Sequence, residues 1–216
     1  MSKYDVVLFD LDGTISKSAE GIRYSIEKTI EIVGCKGFDT SDYTIYIGPP
    51  LQDTFINYCG LKGEKAKEAV EVYRNIYDTK GKLMNTPYSG IDSVLCALRK
   101  EGVKIAVATS KYEKFAEEIV EMLGLTDSVD AVCGSLLDGS RKDKKDIIPY
   151  AVKTLGCSMS DKICMVGDTY FDAKGARLCN VDFVGVTYGY GDKGSMEKEG
   201  AVTFADTTQE LKELLI

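Results

Sequence analysis

Residues 6–14 read Val6-Val7-Leu8-Phe9-Asp10-Leu11-Asp12-Gly13-Thr14. The apolar run is too short for a helix and does not alternate with polar residues, as expected of a strand buried on both faces. It stops at two carboxylates, a glycine and a hydroxyl. In an open parallel sheet the carboxyl ends of the strands line the ligand crevice, so this stretch predicts both a fold and the place where polar chemistry gathers.

Comparable continuous runs recur at 104–109, 131–133, 163–166 and 183–186. Helical stripes lie between the later ones. Ile91, Val94, Leu95 and Leu98 form one, with Ser89 as its N-cap and Gly102 as its stop. Phe115, Ile119 and Met122 mark a second, ended by Gly124, and Ile148, Ala151, Val152 and Leu155 a third, ended by Gly156. Pro149 suits that third helix only in its first turn, which predicts a start near Asp146. Strands alternating with helices predict an α/β fold with a Rossmann-like, doubly wound parallel sheet. The rhythm breaks after the first strand. Ala66, Ala69, Val70, Tyr73, Ile76 and Tyr77 give a clear helical stripe with no strand beside it, and Pro87, Ser89 and Gly90 mark the return. The expected organisation is an α/β core over 1–15 and 86–216, with an inserted all-α domain over 16–85.

With 216 residues, 44% of them hydrophobic, the chain can bury a sizeable core without staples. A net charge of -7 and a pI near 4.8 argue against a nucleic-acid polymer or an anionic membrane as partner. An acidic protein acting on an anion needs a cation or focused Lys and Arg, a first hint of a metal. The seven cysteines are odd in number and form no CxxC pair, so buried free thiols in a reducing cytosol are expected rather than disulfides or zinc. The first apolar run is too short for a signal peptide or a membrane span, so a soluble, cytoplasmic protein is expected, with a monomer sufficient. Histidine is absent, which removes Ser-His-Asp, Cys-His and imidazole chemistry. Proton transfer must fall to carboxylates, Lys, Tyr, Cys or water.

Each strand end supplies useful polar groups: Asp10 to Thr14, then Thr109-Ser110-Lys111, then Gly167-Asp168-Thr169-Tyr170-Phe171-Asp172. Several carboxylates in one crevice repel unless a cation sits among them, and oxygen-only ligands favour Mg²⁺. A carboxylate is a competent nucleophile on phosphorus, and a second carboxylate two residues along can protonate the leaving oxygen and later activate water. Asp10 and Asp12 have that spacing. Gly13 lets the backbone turn closely under a phosphate. A Thr hydroxyl and a Lys ammonium are suitable donors for the transferring oxygens. Arg23, Tyr43 and Lys111 are read as surface residues rather than substrate contacts.

These residues resemble the haloacid dehalogenase superfamily over nearly the whole chain. Asp-x-Asp-Gly-Thr stands at Asp10 to Thr14, a strand-ending Thr at Thr109, and a Lys ahead of a helix at Lys144, with Lys142 and Lys145 as rivals. Gly-Asp-x-x-x-Asp stands at Gly167, Asp168 and Asp172, followed by Gly175 and Ala176. The insert is placed like the helical, C1-type cap of the phosphoglycolate phosphatase-like branch. Gly48-Pro49-Pro50-Leu51, Pro87-Tyr88-Ser89-Gly90 and Tyr188-Gly189-Tyr190-Gly191 are similar to short signatures of that branch. The resemblance implies a phosphatase acting on a small phosphate monoester through an aspartyl-phosphate. Asp10 would be nucleophile and metal ligand, and Asp12 acid/base with its backbone carbonyl on the metal. Thr109, Ser110, Lys144 and Gly13 would bind phosphate, and Asp168 and Asp172 would hold Mg²⁺. Phosphoglycolate is the implied substrate, with a 5'-nucleotidase or broad-specificity phosphatase as the alternative. A phosphosugar mutase follows, although such relatives carry a cap His that is absent here. A non-enzymatic phospho-accepting switch is a further alternative, opposed by the insert and by Asp12. Hinges are expected near 14–18 and 83–89, and the aromatic residues Tyr43, Tyr46, Phe55 and Tyr58 are expected to pack against one another.

Overall fold

The computed structural model describes residues 2–35, 46–48 and 51–216. The chain divides into two compact units, Met1–Lys17 with Pro87–Ile216, and Ser18–Thr86.

In chain order the elements are β1 (Val6–Phe9), β2 (Ser16–Lys17), α1 (Ala19–Val33), α2 (Leu51–Asn57), α3 (Glu64–Thr79), β3 (Thr86–Pro87), α4 (Ile91–Lys100) and β4 (Lys104–Tyr112). There follow α5 (Glu113–Met122), β5 (Ala131–Ser135), α6 (Lys144–Thr154), β6 (Ile163–Gly167), α7 (Tyr170–Cys179), β7 (Asp182–Val186), α8 (Lys193–Lys198), β8 (Phe204–Ala205) and α9 (Thr208–Leu215).

The larger unit is built on a six-stranded sheet of order β5-β4-β1-β6-β7-β8, parallel throughout. The chain runs outward from β1 to β4 and β5, then crosses back to β6 and runs outward the other way. The order therefore reverses beside β1, where such sheets bind ligands. Val6 and Leu8 share a core cluster with Ile147, Ile148, Ala151 and Val152 of α6. Val7 and Phe9 alternate to the other face and are equally inaccessible to solvent, which is why the run reads as continuously apolar. Phe9 lies level with Val107 of β4 and Val166 of β6, so β1 and β6 end within a residue of each other while β4 runs on to Tyr112.

The smaller unit is helical. Ile22, Ser25, Ile26 and Thr29 of α1 are buried, as are Ala66, Ala69, Val70, Tyr73 and Tyr77 of α3. Its rings pack on one another. Tyr46 and Tyr58 meet edge to face at 5.2 Å, Phe55 and Tyr73 at 6.3 Å, and Tyr73 stacks on Tyr77 at 5.7 Å. Tyr43, Pro49 and Pro50 lie outside the described residues.

Several sequence expectations need correction. Helix α6 begins at Lys144, not near Asp146, so Pro149 lies beyond the first turn. A proline there has no N–H for the carbonyl four residues back, and that carbonyl, on Lys145, instead accepts the Cys179 thiol at 3.5 Å. The N-cap of α4 is Gly90 rather than Ser89, whose carbonyl is held by the Thr208 hydroxyl at 2.7 Å. The buried stripe of α5 is Phe115, Ala116, Ile119 and Val120. Met122, at 42% exposure, falls about 90° round the helix from that stripe. All seven cysteines are free, but only Cys133 and Cys164 are buried, and Cys96 is exposed. The edge strand β8, two residues long within Ala201-Val202-Thr203-Phe204-Ala205, is not among the strands expected from the sequence.

Candidate active site

Asp10 follows β1 directly, its N–H donating to the Val166 carbonyl at 2.8 Å, so it continues the sheet for one residue. The chain then folds back. The Leu11 carbonyl accepts from Ile15 and Ser16, and the Gly13 N–H donates to the Ser16 carbonyl at 2.9 Å. This turn requires Gly13 twice over. Its φ is 82°, and a Cβ there would lie 2.1 Å from Asp168 Oδ2.

Asp168 emerges after β6 and is fully buried. Its Oδ2 accepts the Tyr190 N–H at 2.7 Å, while its Oδ1 has no hydrogen-bond partner. Asp172, in the first turn of α7, accepts from the Thr169 hydroxyl at 2.7 Å and the Thr169 N–H at 3.1 Å through Oδ2, so its other oxygen faces away from the helix end. Carboxylate oxygens of Asp10, Asp168 and Asp172 lie within 4.8 Å of one another.

Lys144 enters this cluster from the first residue of α6, only 4% exposed. Its ammonium meets Asp10 Oδ1 at 2.7 Å and Asp172 Oδ1 at 2.6 Å and donates to the Ala108 carbonyl at 2.7 Å. Three donors meet three acceptors, so the buried cation is fully satisfied. Burial alone would lower its pKa, but Asp10 and Asp172 outweigh that and raise it. Close helix packing makes the burial possible, because a Cβ at Gly175 of α7 would lie 2.4 Å from the Lys144 Cβ. Lys142 and Lys145, the rivals for this role in the sequence, are both exposed.

Asp12 stands apart from the cluster. Its Oδ2 pairs with the Lys111 ammonium at 2.9 Å, and Lys111's side chain is only 8% exposed. Lys111 is therefore no surface residue, contrary to the sequence reading. The signal lay in the ladder between β4 and β5. Ala108 pairs with Cys133, and pairing resumes at Tyr112 with Ser135. Four steps along β4 match two along β5, so Thr109, Ser110 and Lys111 bulge at the strand end. Thr109 is buried, with its hydroxyl accepting the Lys111 N–H at 3.3 Å, and Ser110 is half-buried between them. Arg23 is a surface residue, paired with Glu27 at 2.8 Å.

Four carboxylates here face two ammonium groups, an excess of two negative charges. Asp168 feels it most. Burial, then the charges of Asp172 and Asp10, push its pKa well above the carboxylate range, against the pull of Tyr190's N–H and Lys144. Burial also raises Asp172, and Asp10 adds to it, against Lys144 and Thr169. A buried trio of oxygen donors with one orphaned lone pair suits a hard divalent cation, which would cancel the excess.

The chain belongs to the haloacid dehalogenase-like hydrolase family, whose profile matches residues 7–186. Its fold and its named relatives are those of the phosphatase-type enzymes of that family. A predicted phosphatase from Clostridium acetobutylicum superimposes with a TM-score of 0.91 at 37% identity, covering 97% of each chain. A protein of Mycobacterium tuberculosis named tyrosine-protein kinase PtkA is 37% identical over 212 residues, 97% of this chain and 72% of that one. A 5'-nucleotidase of Pseudomonas aeruginosa is 32% identical, covering 99% of this chain and 96% of that one. Proteins named phosphoglycolate phosphatase are among further matches.

Proposed function

We propose that the chain is a Mg²⁺-dependent phosphatase that hydrolyses a small phosphate monoester, phosphoglycolate-like in size, through an aspartyl-phosphate on Asp10. The observation that carries this reading is the division of labour among the carboxylates. Asp10 and Asp172 share Lys144 beside the unpaired Asp168, while Asp12 stands apart with its own cation in Lys111.

In the reaction, an Asp10 carboxylate oxygen attacks phosphorus and the bond to the ester oxygen breaks. Asp12 delivers a proton to that leaving oxygen. Water then attacks phosphorus of the aspartyl-phosphate, Asp12 takes up its proton, and the Asp10–phosphorus bond breaks to release phosphate. Thr109, Ser110, Lys144 and the Gly13 turn bind and orient the phosphoryl oxygens. Asp10, Asp168, Asp172 and the Asp12 carbonyl would hold Mg²⁺, which supplies neutralisation of the phosphoryl charge. The helical unit is the insert that the sequence reading takes as a cap domain. Its rings are spent on one another, which favours a small leaving group over a stacked nucleobase. Seven free thiols fit a reducing, cytoplasmic setting.

The test is phosphate release from phosphoglycolate, nucleoside 5'-monophosphates, sugar phosphates and an aryl phosphate, with Mg²⁺ or with chelator. Metal-dependent turnover that Asp10→Asn abolishes supports the mechanism, and the highest kcat/KM names the substrate. The relative named as a tyrosine kinase favours a second reading, phosphoryl transfer to tyrosine. Appearance of phosphotyrosine with ATP, and no ester hydrolysis, would decide for it. A stable aspartyl-phosphate without turnover would decide for a phospho-accepting switch.

A further inference from the structure

Three residues before Lys144 and two after Lys111 lies a second ion pair that the chemistry above does not use. Arg141, in the loop between β5 and α6, is only 9% exposed. Its Nε donates to the Gly134 carbonyl at 2.7 Å, and its terminal nitrogen pairs closely with Glu113 Oε2. Its guanidinium carbon lies 3.6 Å from the centre of the Tyr150 ring in α6. Glu113 Oε2 also accepts the Gly134 N–H at 3.0 Å. Both backbone polar groups of Gly134 in β5 are thus taken by side chains, one from the start of α5 and one from the loop ahead of α6. The loop closes on the same point, since the Leu136 N–H donates to the Arg141 carbonyl at 3.0 Å.

A largely buried ion pair is a poor source of net stability, because desolvation offsets most of the Coulomb gain, and in some proteins its value lies in fixing geometry. The geometry concerned is the bulge at Thr109–Lys111. Pairing of β4 with β5 resumes only at Tyr112 and Ser135, on either side of Glu113 and Gly134. The same clamp anchors the segment that feeds Lys144 into the carboxylates. Arginine suits the task, since its planar fork makes two directed bonds and stacks on an aromatic ring, which a lysine point charge does not do.

We infer that Glu113 and Arg141 are positioning residues, a brace that holds Thr109 and Lys111 on one segment and Lys144 on another in register around Asp10 and Asp12. The inference rests on the phosphatase reading for its kinetic readout. Glu113→Gln with Arg141→Met removes both charges and keeps the volume. That double variant is expected to fold with a Tm within about 5 °C of wild type. Its kcat is expected to fall about ten- to hundredfold, the scale of a small misplacement of catalytic groups, with KM changed less than about threefold. A folded double variant with wild-type kcat would overturn the brace. Should the double variant not fold, Arg141→Lys keeps the charge and loses the fork, and wild-type kcat there overturns the brace equally. If wild type releases phosphate from no ester, the phosphatase reading fails by itself. The crystal structure of Arg141→Lys then decides the brace. Lys144 displaced from Asp10 and Asp172 supports it, and Lys144 unmoved overturns it.

Discussion

Lys144 concentrates most of the site's electrostatics in one side chain. Removing a partner from a buried charge cluster leaves the remaining charges uncompensated, at a cost of about 3–5 kcal/mol. Lys144→Met is therefore expected to lower metal-free stability by about that amount, read from urea unfolding, and to reduce turnover at least a hundredfold. Unchanged stability would mean that Asp10 and Asp172 do not depend on Lys144 as their 2.7 and 2.6 Å contacts imply. Gly13 offers a second residue-scale test. Gly13→Ala combines a positive φ with a Cβ driven into Asp168, so loss of about 1–2 kcal/mol and weakened cation binding by calorimetry are expected together. Asp10, Asp12 and Asp168 were picked out in the sequence because each stands within three residues of an apolar run, and Asp172 by its place in Gly-Asp-x-x-x-Asp. Lys111 was not, because a lysine at a strand end looks solvated until a bulge turns it inward.

At the scale of elements, α6 and the strand bulge beside it decide what the site can do. Helix α6 starts early enough to place Lys144 in its first turn, and so carries Pro149 in its interior. The Cys179 thiol only partly replaces the missing backbone donor, since S–H is a weak one. Pro149→Ala is expected to stabilise the protein by about 1 kcal/mol. That is less than the ~3 kcal/mol of an uncompensated helix proline, because proline also restricts the unfolded chain. A shifted urea midpoint at constant slope would measure it, and destabilisation would show that the proline ring's packing outweighs the lost hydrogen bond. The first-turn preference of Pro149 placed the start of α6 near Asp146. In the structure it starts at Lys144, whose side chain is held by Asp10, Asp172 and the Ala108 carbonyl.

For the whole molecule, the unbalanced acid cluster couples stability to pH and to cations. Asp168 has a folded-state pKa well above its unfolded value of 3.8, so the folded state binds its proton more tightly. Its contribution favours the folded state at low pH and is lost as pH rises from about 4 through the raised folded value. Lys144 has the same sign in a higher pH window. Its raised value contributes stability fully present below 10.5 and lost only above, so it leaves neutral pH unaffected. In chelator, Tm is therefore expected to fall as pH rises from acid toward neutral, apart from general acid unfolding, and Asp168→Asn should flatten that slope. Mg²⁺ at a hundredfold excess over its Kd should restore about 2.7 kcal/mol at neutral pH. A cation that left Tm unmoved would count against the carboxylate trio as its site.

By itself the sequence determined the parallel α/β core, the helical segment after the first strand and the strand ends that carry acid groups. These follow from local patterns, namely apolar runs, helical stripes and turn residues, which depend on neighbours along the chain. Tertiary structure alone decided which cations meet which acids. Lys144 rather than Lys142 or Lys145 reaches Asp10 because α6 and α7 approach within a glycine's width. Lys111 reaches Asp12 because β4 carries two more residues than β5 between the same two pairings, and Arg141 meets Glu113 across 28 residues of chain. Register and helix separation are set by packing between distant segments, and no local spacing encodes them.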